Sequence, residues 1–288
     1  MEIFYQVVQA QSFSKAAEHL GVSKSFVSKR MSKLEESLNV RLMNRSTRSL
    51  SLTQAGEVFY RQCVKVVTEA ELAFDLLQEL QGTPSGVLRV SIPPAFAVYA
   101  LTPMLAHFAK RYPEIKLEVE LESELVDVIA GSYDVVLRSA KLEDSSLIVQ
   151  TIRTFDMVIC ASPKYIASHP VLQKPQDLSE HYCALYNKTN TLHFAGKDAR
   201  HQVYLQGNFS SNHTGLIKNM ALEDVCIAVL SEFMVQEELA NGSLVQCLPS
   251  YQLPKASIYA LYPEKKLMLP KVTAFLDELK KWGQTLAG

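Results

Sequence analysis

Ser12-Phe13-Ser14-Lys15-Ala16-Ala17-Glu18-His19-Leu20-Gly21-Val22-Ser23-Lys24-Ser25-Phe26-Val27-Ser28-Lys29-Arg30-Met31-Ser32-Lys33-Leu34-Glu35-Glu36-Ser37-Leu38 is the stretch that decides how the first part of the chain folds. Ser14 has the chemistry of an N-cap for a helix carrying Ala16, Ala17 and Leu20, and Gly21-Val22 breaks that helix. Ser23 caps the next helix, in which Val27, Met31, Leu34 and Leu38 recur at spacings of four, three and four and form one apolar stripe. The pattern is helix, tight glycine-containing turn, helix. At roughly 100° per residue, Ser25, Lys29, Ser32 and Glu36 lie within about 40° of the face opposite the stripe, flanked by Ser28 and Lys33. A recognition helix needs such a face, because its side chains reach base edges while Lys, Ser hydroxyls and helix N-terminal amides meet phosphates. A merely solvated amphipathic helix has the same periodicity; the basic excess and the turn spacing weigh for the reading surface.

On the N-terminal side, Ile3, Phe4, Val7 and Val8 make one more short amphipathic helix. On the C-terminal side, Leu50 and Leu52 alternate with Ser49 and Ser51 like a hairpin strand, and Arg41, Arg45 and Arg48 fall within eight residues. A small basic hairpin beside a helix-turn-helix is a wing, suited to phosphates or a minor groove. Thr53 caps a long helix in which Phe59, Cys63, Val66, Ala70, Ala73, Leu77 and Leu80 alternate at four and three spacing for three heptads. That seam predicts a linker helix that pairs with a second copy, the alternative being that it packs on the chain's own body. Gln81-Gly82-Thr83-Pro84-Ser85-Gly86 reads as a hinge.

Beyond the hinge, strands alternate with helices. Val87 to Ile92 is a buried-strand run, and a helix with Leu101, Leu105 and Phe108 ends before Pro113. Ile115 to Leu121 alternates strictly, a helix carries Leu125, Val126 and Ile129, and Tyr133 to Leu137 and Met157 to Ala161 are strand runs. Ser162-Pro163 opens a helix. Further strands at 201–205, 225–230 and 257–262 are spaced by helices near 213–222 and 231–241, and a last helix holds Val272, Phe275, Leu276 and Leu279. About 200 residues fit two small α/β lobes.

The 288 residues carry a formal net charge of −1, but unevenly: residues 1–61 hold nine Lys or Arg against five Glu, the remainder twenty against twenty-five. A basic head on an acidic body suggests nucleic-acid binding by the head alone. No run of about 18 apolar residues is present, and the N-terminus has neither a basic leader nor a cleavage site, so a cytoplasmic protein without membrane contact is expected. Five scattered cysteines without a Cys-x-x-Cys argue against a disulfide framework or zinc knuckle and for reduced, mostly buried thiols. Seven histidines lack metal-ligand spacing, and there is no phosphate loop, His-Glu-x-x-His or Gly-x-Ser-x-Gly, so neither metal, cofactor nor enzymatic activity is expected.

Ser12-Phe13-Ser14-Lys15-Ala16-Ala17, Ser23-Lys24-Ser25-Phe26-Val27-Ser28, Leu34-Glu35, Asn44-Arg45, Thr47-Arg48, Leu52-Thr53 and Ala55-Gly56 together resemble the LysR-type transcriptional regulators. In the body, Tyr133-Asp134-Val135-Val136-Leu137-Arg138, Ser162-Pro163-Lys164-Tyr165, Pro175-Gln176-Asp177-Leu178 and Gly242-Ser243-Leu244-Val245 are similar too, so the resemblance runs end to end. It implies a multidomain α+β chain: a winged helix-turn-helix at 1–53, a dimerising linker helix at 54–81, a hinge at 82–86, and a periplasmic-binding-protein-like effector domain at 87–288. Lobe I is expected at about 87–161 and 264–288, lobe II at about 162–263, with the final helix returning to lobe I. It also implies a bacterial regulator that works as a homodimer or homotetramer with RNA polymerase. Asn39 stands where the family usually has Gly and Met43 where Phe is usual, and Leu222 to Ser231 lacks the family's glycines and proline.

The resemblance and the helical angles together assign Ser25, Ser28, Lys29 and Ser32 to base edges, and Ser23, Lys24, Lys33, Arg45, Arg48 and Thr53 to phosphates and the minor groove. In open α/β lobes ligands bind at the carboxyl ends of strands. Three such ends are legible: Pro94-Ala95-Phe96, Arg138-Ser139, and Asn212-His213-Thr214 before a helix. A small carboxylate or aromatic acid is expected there, with Arg138 as countercharge or, alternatively, as a structural ion-pair partner. The alternative for the whole chain is a solute-binding protein without regulatory DNA binding, which residues 87–288 alone would suit.

Overall fold

The computed structural model describes the chain apart from residues 46–49, 80–83, 123–132, 140–146, 196–201, 265, 267–268 and 286–288, with backbone only at 45, 71–72, 74–79 and 285. Two compact units emerge, Met1–Thr83 with Asp127–Asp134, and Pro84–Val126 with Val135–Gly288.

The first unit is built on α1 (Glu2–Ala10), α2 (Phe13–His19) and α3 (Lys24–Leu38). Ser12, not Ser14, caps α2: its backbone is extended and its Oγ accepts from the Lys15 amide at 3.3 Å, so the helix starts two residues earlier than expected. Gly21 at φ 65° makes the turn that β-carbon-bearing residues resist. Ser23 Oγ accepts from the Phe26 amide at 3.2 Å, as expected of the α3 cap. Asn39 ends α3 in the left-handed region at φ 51°, a conformation asparagine tolerates where a β-branched residue would not. The wing follows as β1 (Met43–Arg45) antiparallel to β2 (Leu50–Leu52), then α4 (Gln54–Glu79). Phe4, Val7, Ala16, Ala17, Val27, Met31, Leu42, Met43 and Cys63 form the core. The α3 stripe closes that core at Val27 and Met31, whereas its last member, Leu38, is exposed.

Lobe I of the second unit holds a five-stranded mixed sheet. β3 (Gly86–Ile92) lies between β4 (Ile115–Leu121) and β5 (Val135–Arg138), all parallel; β14 (Ala256–Pro263) runs antiparallel to β5 and to the edge strand β6 (Leu147–Phe155). A continuous helical run follows β3 as α5 (Pro94–Phe96), a π-helical turn (Ala97–Leu101) and α6 (Thr102–Arg111). The last helix, α10 (Pro270–Thr285), seats Phe275 against Phe108 of α6 at 5.3 Å and so returns to lobe I.

Lobe II is centred on β7 (Met157–Ala161), flanked antiparallel by β12 (Ala228–Ser231) and β13 (Val245–Cys247). The remaining strands are β8 (Leu185–Tyr186), β9 (Thr191–His193), β10 (Gln202–Tyr204) and β11 (Ser210–Ser211). Its helices are α7 (Pro163–Ser168), α8 (Thr214–Leu222) and α9 (Gln236–Asn241). The expected lobe boundaries are corrected here. β7 was expected in lobe I but pairs with lobe II strands, and β14 was expected in lobe II but completes the lobe I sheet. The chain thus crosses at Asp156 and returns at Lys255, and these two residues form an ion pair at 2.9 Å. The expected helix at Leu125, Val126 and Ile129 lies outside the described residues.

Candidate DNA-reading surface and effector cavity

α3 presents its expected face. Ser23, Lys24, Ser25, Lys29 and Lys33 are exposed, and Ser28 and Ser32 are half-buried along the same side. Among the described residues Lys24, Lys29 and Lys33 make no ion pair, so their charges remain available to a polyanion. Ser23 and Ser25 hydroxyls meet at 2.9 Å beside the amides of the first helical turn, the positive end of the helix dipole.

The wing is fixed to this helix by contacts that sequence reasoning missed. One oxygen of Glu35 accepts from the amides of Leu42 at 2.8 Å and Met43 at 3.2 Å, tying the end of α3 to the start of β1. Thr53 bridges the other side: its amide donates to Leu42 O, its hydroxyl donates to Arg41 O at 2.7 Å, and the same hydroxyl accepts from the Gly56 amide at 3.0 Å. Thr53 is therefore the α4 cap and a wing anchor at once, half-buried, and with its amide and hydroxyl protons both given to carbonyls of the wing it has no donor left for the expected phosphate contact. Gly56 packs so close that a β-carbon there would stand 2.0 Å from Leu42 O, which is why glycine occupies the first turn of α4. Arg45 lies on β1, its side chain undescribed, and Arg48 lies outside the described residues.

The α4 seam is divided. Cys63 is fully buried in the core of the first unit and Phe59 packs on Phe4 at 5.5 Å, so the first two expected dimer positions serve the chain's own fold. Val66, Ala70 and Ala73 are exposed. The side chain of Leu77 and the whole of Leu80 lie outside the described residues.

Between lobes I and II lies a cavity of about 340 Å³. Pro94, Ala95 and Phe96 after β3, Ser139 after β5, and Asn212, His213 and Thr214 at the start of α8 all line it, so three separate sequence expectations converge on one space. Its apolar wall is a corner that the sequence did not reveal: Phe155 and Phe233 sit 4.6 Å apart, with Phe96 at 5.9 and 6.0 Å from them. Trp282 of α10 meets Phe96 edge to face at 5.6 Å. Phe155 closes β6 and Phe233 follows β12, and no local pattern brings such distant residues together.

At the polar end, His213 caps α8. Its Nδ1 accepts from the Leu216 amide at 3.2 Å, which leaves the proton of the neutral ring on Nε2. Arg138 corrects the expectation of a countercharge. It is 4 % exposed, donates to Leu137 O at 2.6 Å and to Ser91 Oγ at 3.0 Å, and is not among the residues lining the cavity. The guanidinium braces β3 against β5 instead.

No cysteine is among the residues lining the cavity. All five cysteines are buried. Burial pushes Cys160 and Cys183 up to about 12 and Cys226 and Cys247 up to about 11, so none of these four offers a thiolate at neutral pH. Among the described residues no group of three or more His, Cys, Asp or Glu is arranged to hold a metal, and no helix is long and apolar enough to cross a membrane.

Comparison with known proteins agrees with this division of labour. Residues 1–57 match the model of the bacterial regulatory helix-turn-helix proteins of the lysR family, and residues 81–284 match that of the LysR substrate binding domain. The chain is 32% identical over 283 residues to the HTH-type transcriptional regulator PtxR of Pseudomonas aeruginosa, covering 96% of this chain and 90% of that protein. The solved structure of CrgA, a LysR-type transcriptional regulator from Neisseria meningitidis, superposes with a TM-score of 0.65 at 30% identity over 99% of this chain and 97% of that one. The full-length Vibrio cholerae virulence activator AphB gives 0.65 at 28% identity, covering 96% of each chain. A solute-binding protein would lack the first of the two matched domains. The chain is a member of the LysR family of bacterial transcriptional regulators: a sequence-specific DNA-binding protein with an effector-binding domain.

Proposed function

We propose that α3 enters the major groove with Ser25, Ser28, Lys29 and Ser32 at base edges. Ser23, Lys24, Lys33, Arg45 and Arg48 hold the phosphate backbone or reach the minor groove. Two copies joined along Val66, Ala70, Ala73, Leu77 and Leu80 of α4 read two half-sites about one DNA turn, or a multiple of it, apart. The protein acts in the cytoplasm, as a homodimer or homotetramer, on transcription by RNA polymerase. The observation that carries this reading is the exposed cationic face of α3, without ion pairs among the described residues and held in fixed relation to a wing by Glu35 and Thr53.

The effector is a small aromatic or apolar acid. Its ring packs in the Phe96–Phe155–Phe233 corner and its carboxylate meets Asn212, His213 and Thr214 at the N-terminus of α8. Ligand binding shifts the equilibrium between two arrangements of the lobes and so changes DNA affinity.

Random-site selection with the full-length protein tests the first part. Lys29→Ala is expected to relax the preference at one base pair by about 1–3 kcal/mol of discrimination; an unchanged site profile refutes the assignment. Calorimetry with a panel of benzoates tests the second, and affinity that survives Phe96→Ala and His213→Ala refutes it.

A further inference from the structure

We infer that Phe26 is a further specificity-determining residue and that the feature it reads is the C5 methyl of a thymine. The inference rests on α3 being the recognition helix. Phe26 stands in the first turn of α3, three residues after the Ser23 cap, and the N-terminal residues of such helices meet base edges. Its neighbours on that end are hydroxyls and cations, yet Phe26 leaves 41 % of its surface in water. An apolar ring has nothing to offer a phosphate or a hydrogen-bonding base edge. The thymine methyl is the one apolar group that base pairs display in the major groove.

A second, independent feature holds the ring in place. Arg30, one turn further along α3, lays its guanidinium over the Phe26 ring at 5.2 Å from the centroid. The ring also borders a shallow groove with Met1, Phe4 and Leu34, so part of it leans on the first unit while the rest stays open. A ring propped on one side and stacked on another loses little freedom when a methyl group meets it, and binding retains the corresponding affinity. The stacked guanidinium stays beside the ring as a cation for the flanking phosphate, adding Arg30 to the contacts that sequence alone assigned.

Uracil pairs as thymine does but lacks the methyl, which gives a direct test. In the duplex recovered by random-site selection with the full-length protein, each thymine is replaced singly by uracil. At one thymine per half-site the wild type is expected to lose about fourfold in affinity, the worth of one buried methyl-sized group. Phe26→Ala is expected to bind more weakly overall and to be indifferent to that replacement. Phe26→Gln, a polar chain of similar reach, shows the same indifference and covers the case in which the alanine variant fails to fold. A wild type indifferent to uracil at every position overturns the inference, as does methyl dependence that persists in either variant. The two readings fail separately: a flat uracil scan with a site profile altered by Lys29→Ala removes Phe26 alone, whereas a profile unmoved by Lys29→Ala removes α3 itself.

Discussion

Glu35 carries more structural responsibility than its place on a charged surface suggests. One of its carboxylate oxygens serves two amides at the start of the wing, and Leu42 and Met43 are buried there. Glu35→Ala leaves both donors without that acceptor and is expected to cost about 1–3 kcal/mol in chemical denaturation of the first unit, with DNA affinity falling alongside. Glu35→Gln keeps a carbonyl oxygen in the same place and is expected to retain most of that stability; equal losses for the two variants would show that charge, not geometry, is what matters. His181 gives a pH-dependent counterpart in lobe II. It is 2 % exposed, and burial first, then the neighbouring His169, depresses its pKa below the ordinary 6.5, against the opposing pull of Asp177 and Glu180. With the folded value below the unfolded one, the unfolded chain binds the extra proton, so this contribution is intact above pH 6.5 and is lost as the pH falls from there through the folded value. Thermal melting between pH 7.5 and pH 5 is expected to show a falling midpoint, and the slope is expected to flatten in His181→Leu. An unaltered slope in the variant would assign the acid sensitivity elsewhere.

At the scale of elements, α4 separates what a heptad pattern can and cannot say. Cys63 and Phe59 fit the seam by spacing but face the core of their own unit, because α1 lies against that end of the helix and offers Phe4 as a partner. Val66 is the first seam residue beyond that contact and is 50 % exposed. Val66→Glu is therefore expected to dissociate the oligomer in sedimentation velocity while leaving thermal stability nearly unchanged, whereas Cys63→Ser destabilises the unit through its core. A Val66→Glu protein that sediments as the wild type would place the interface elsewhere. The same distinction explains what was legible. The α3 stripe as far as Leu34, its Ser23 cap and its polar face follow from local periodicity and are found as read, whereas Leu38 fits the spacing but is exposed. The three strand ends that line the cavity also follow, since strand termini are local features. What failed was non-local. Ser14 and Ser12 are equivalent by residue type, and only the extended backbone of Ser12 decides between them. β6 is a nine-residue strand at a sheet edge, half-buried along most of its length, so it carries no strong alternation. Arg138 looked like a countercharge because it closes a strand beside the cavity, but Ser91 on the adjacent strand claims it.

For the two-lobed effector domain as a whole, the contacts that cross between lobes decide how a ligand is felt. The crossovers at Asp156 and Lys255 are tied by one ion pair, and the Phe96–Phe233 contact joins the lobes at the cavity wall. A further crossing contact is made by α8. Lys218 of α8 is held by Glu238 of α9 and places its ammonium 4.5 Å from the ring centroid of Tyr99, in the π-helical turn of lobe I. Because Lys218 is buried, this cation–π contact is poorly screened and worth about 0.5–2 kcal/mol. It exists only while α8 and the turn after β3 are together, and those two elements also carry His213 and Phe96 into the cavity. Tyr99→Leu keeps the apolar bulk and the Lys218–Glu238 pair but removes the attraction across the lobes. The expected result is a two- to thirtyfold loss of effector affinity in calorimetry, matching the free energy withdrawn from the closed arrangement. Under the proposed two-arrangement coupling, linkage fixes a second number: the factor by which effector changes DNA affinity equals the factor by which DNA changes effector affinity, in the variant as in the wild type. A Tyr99→Leu protein that binds effector as tightly as the wild type would show that the lobes do not move against each other at this contact.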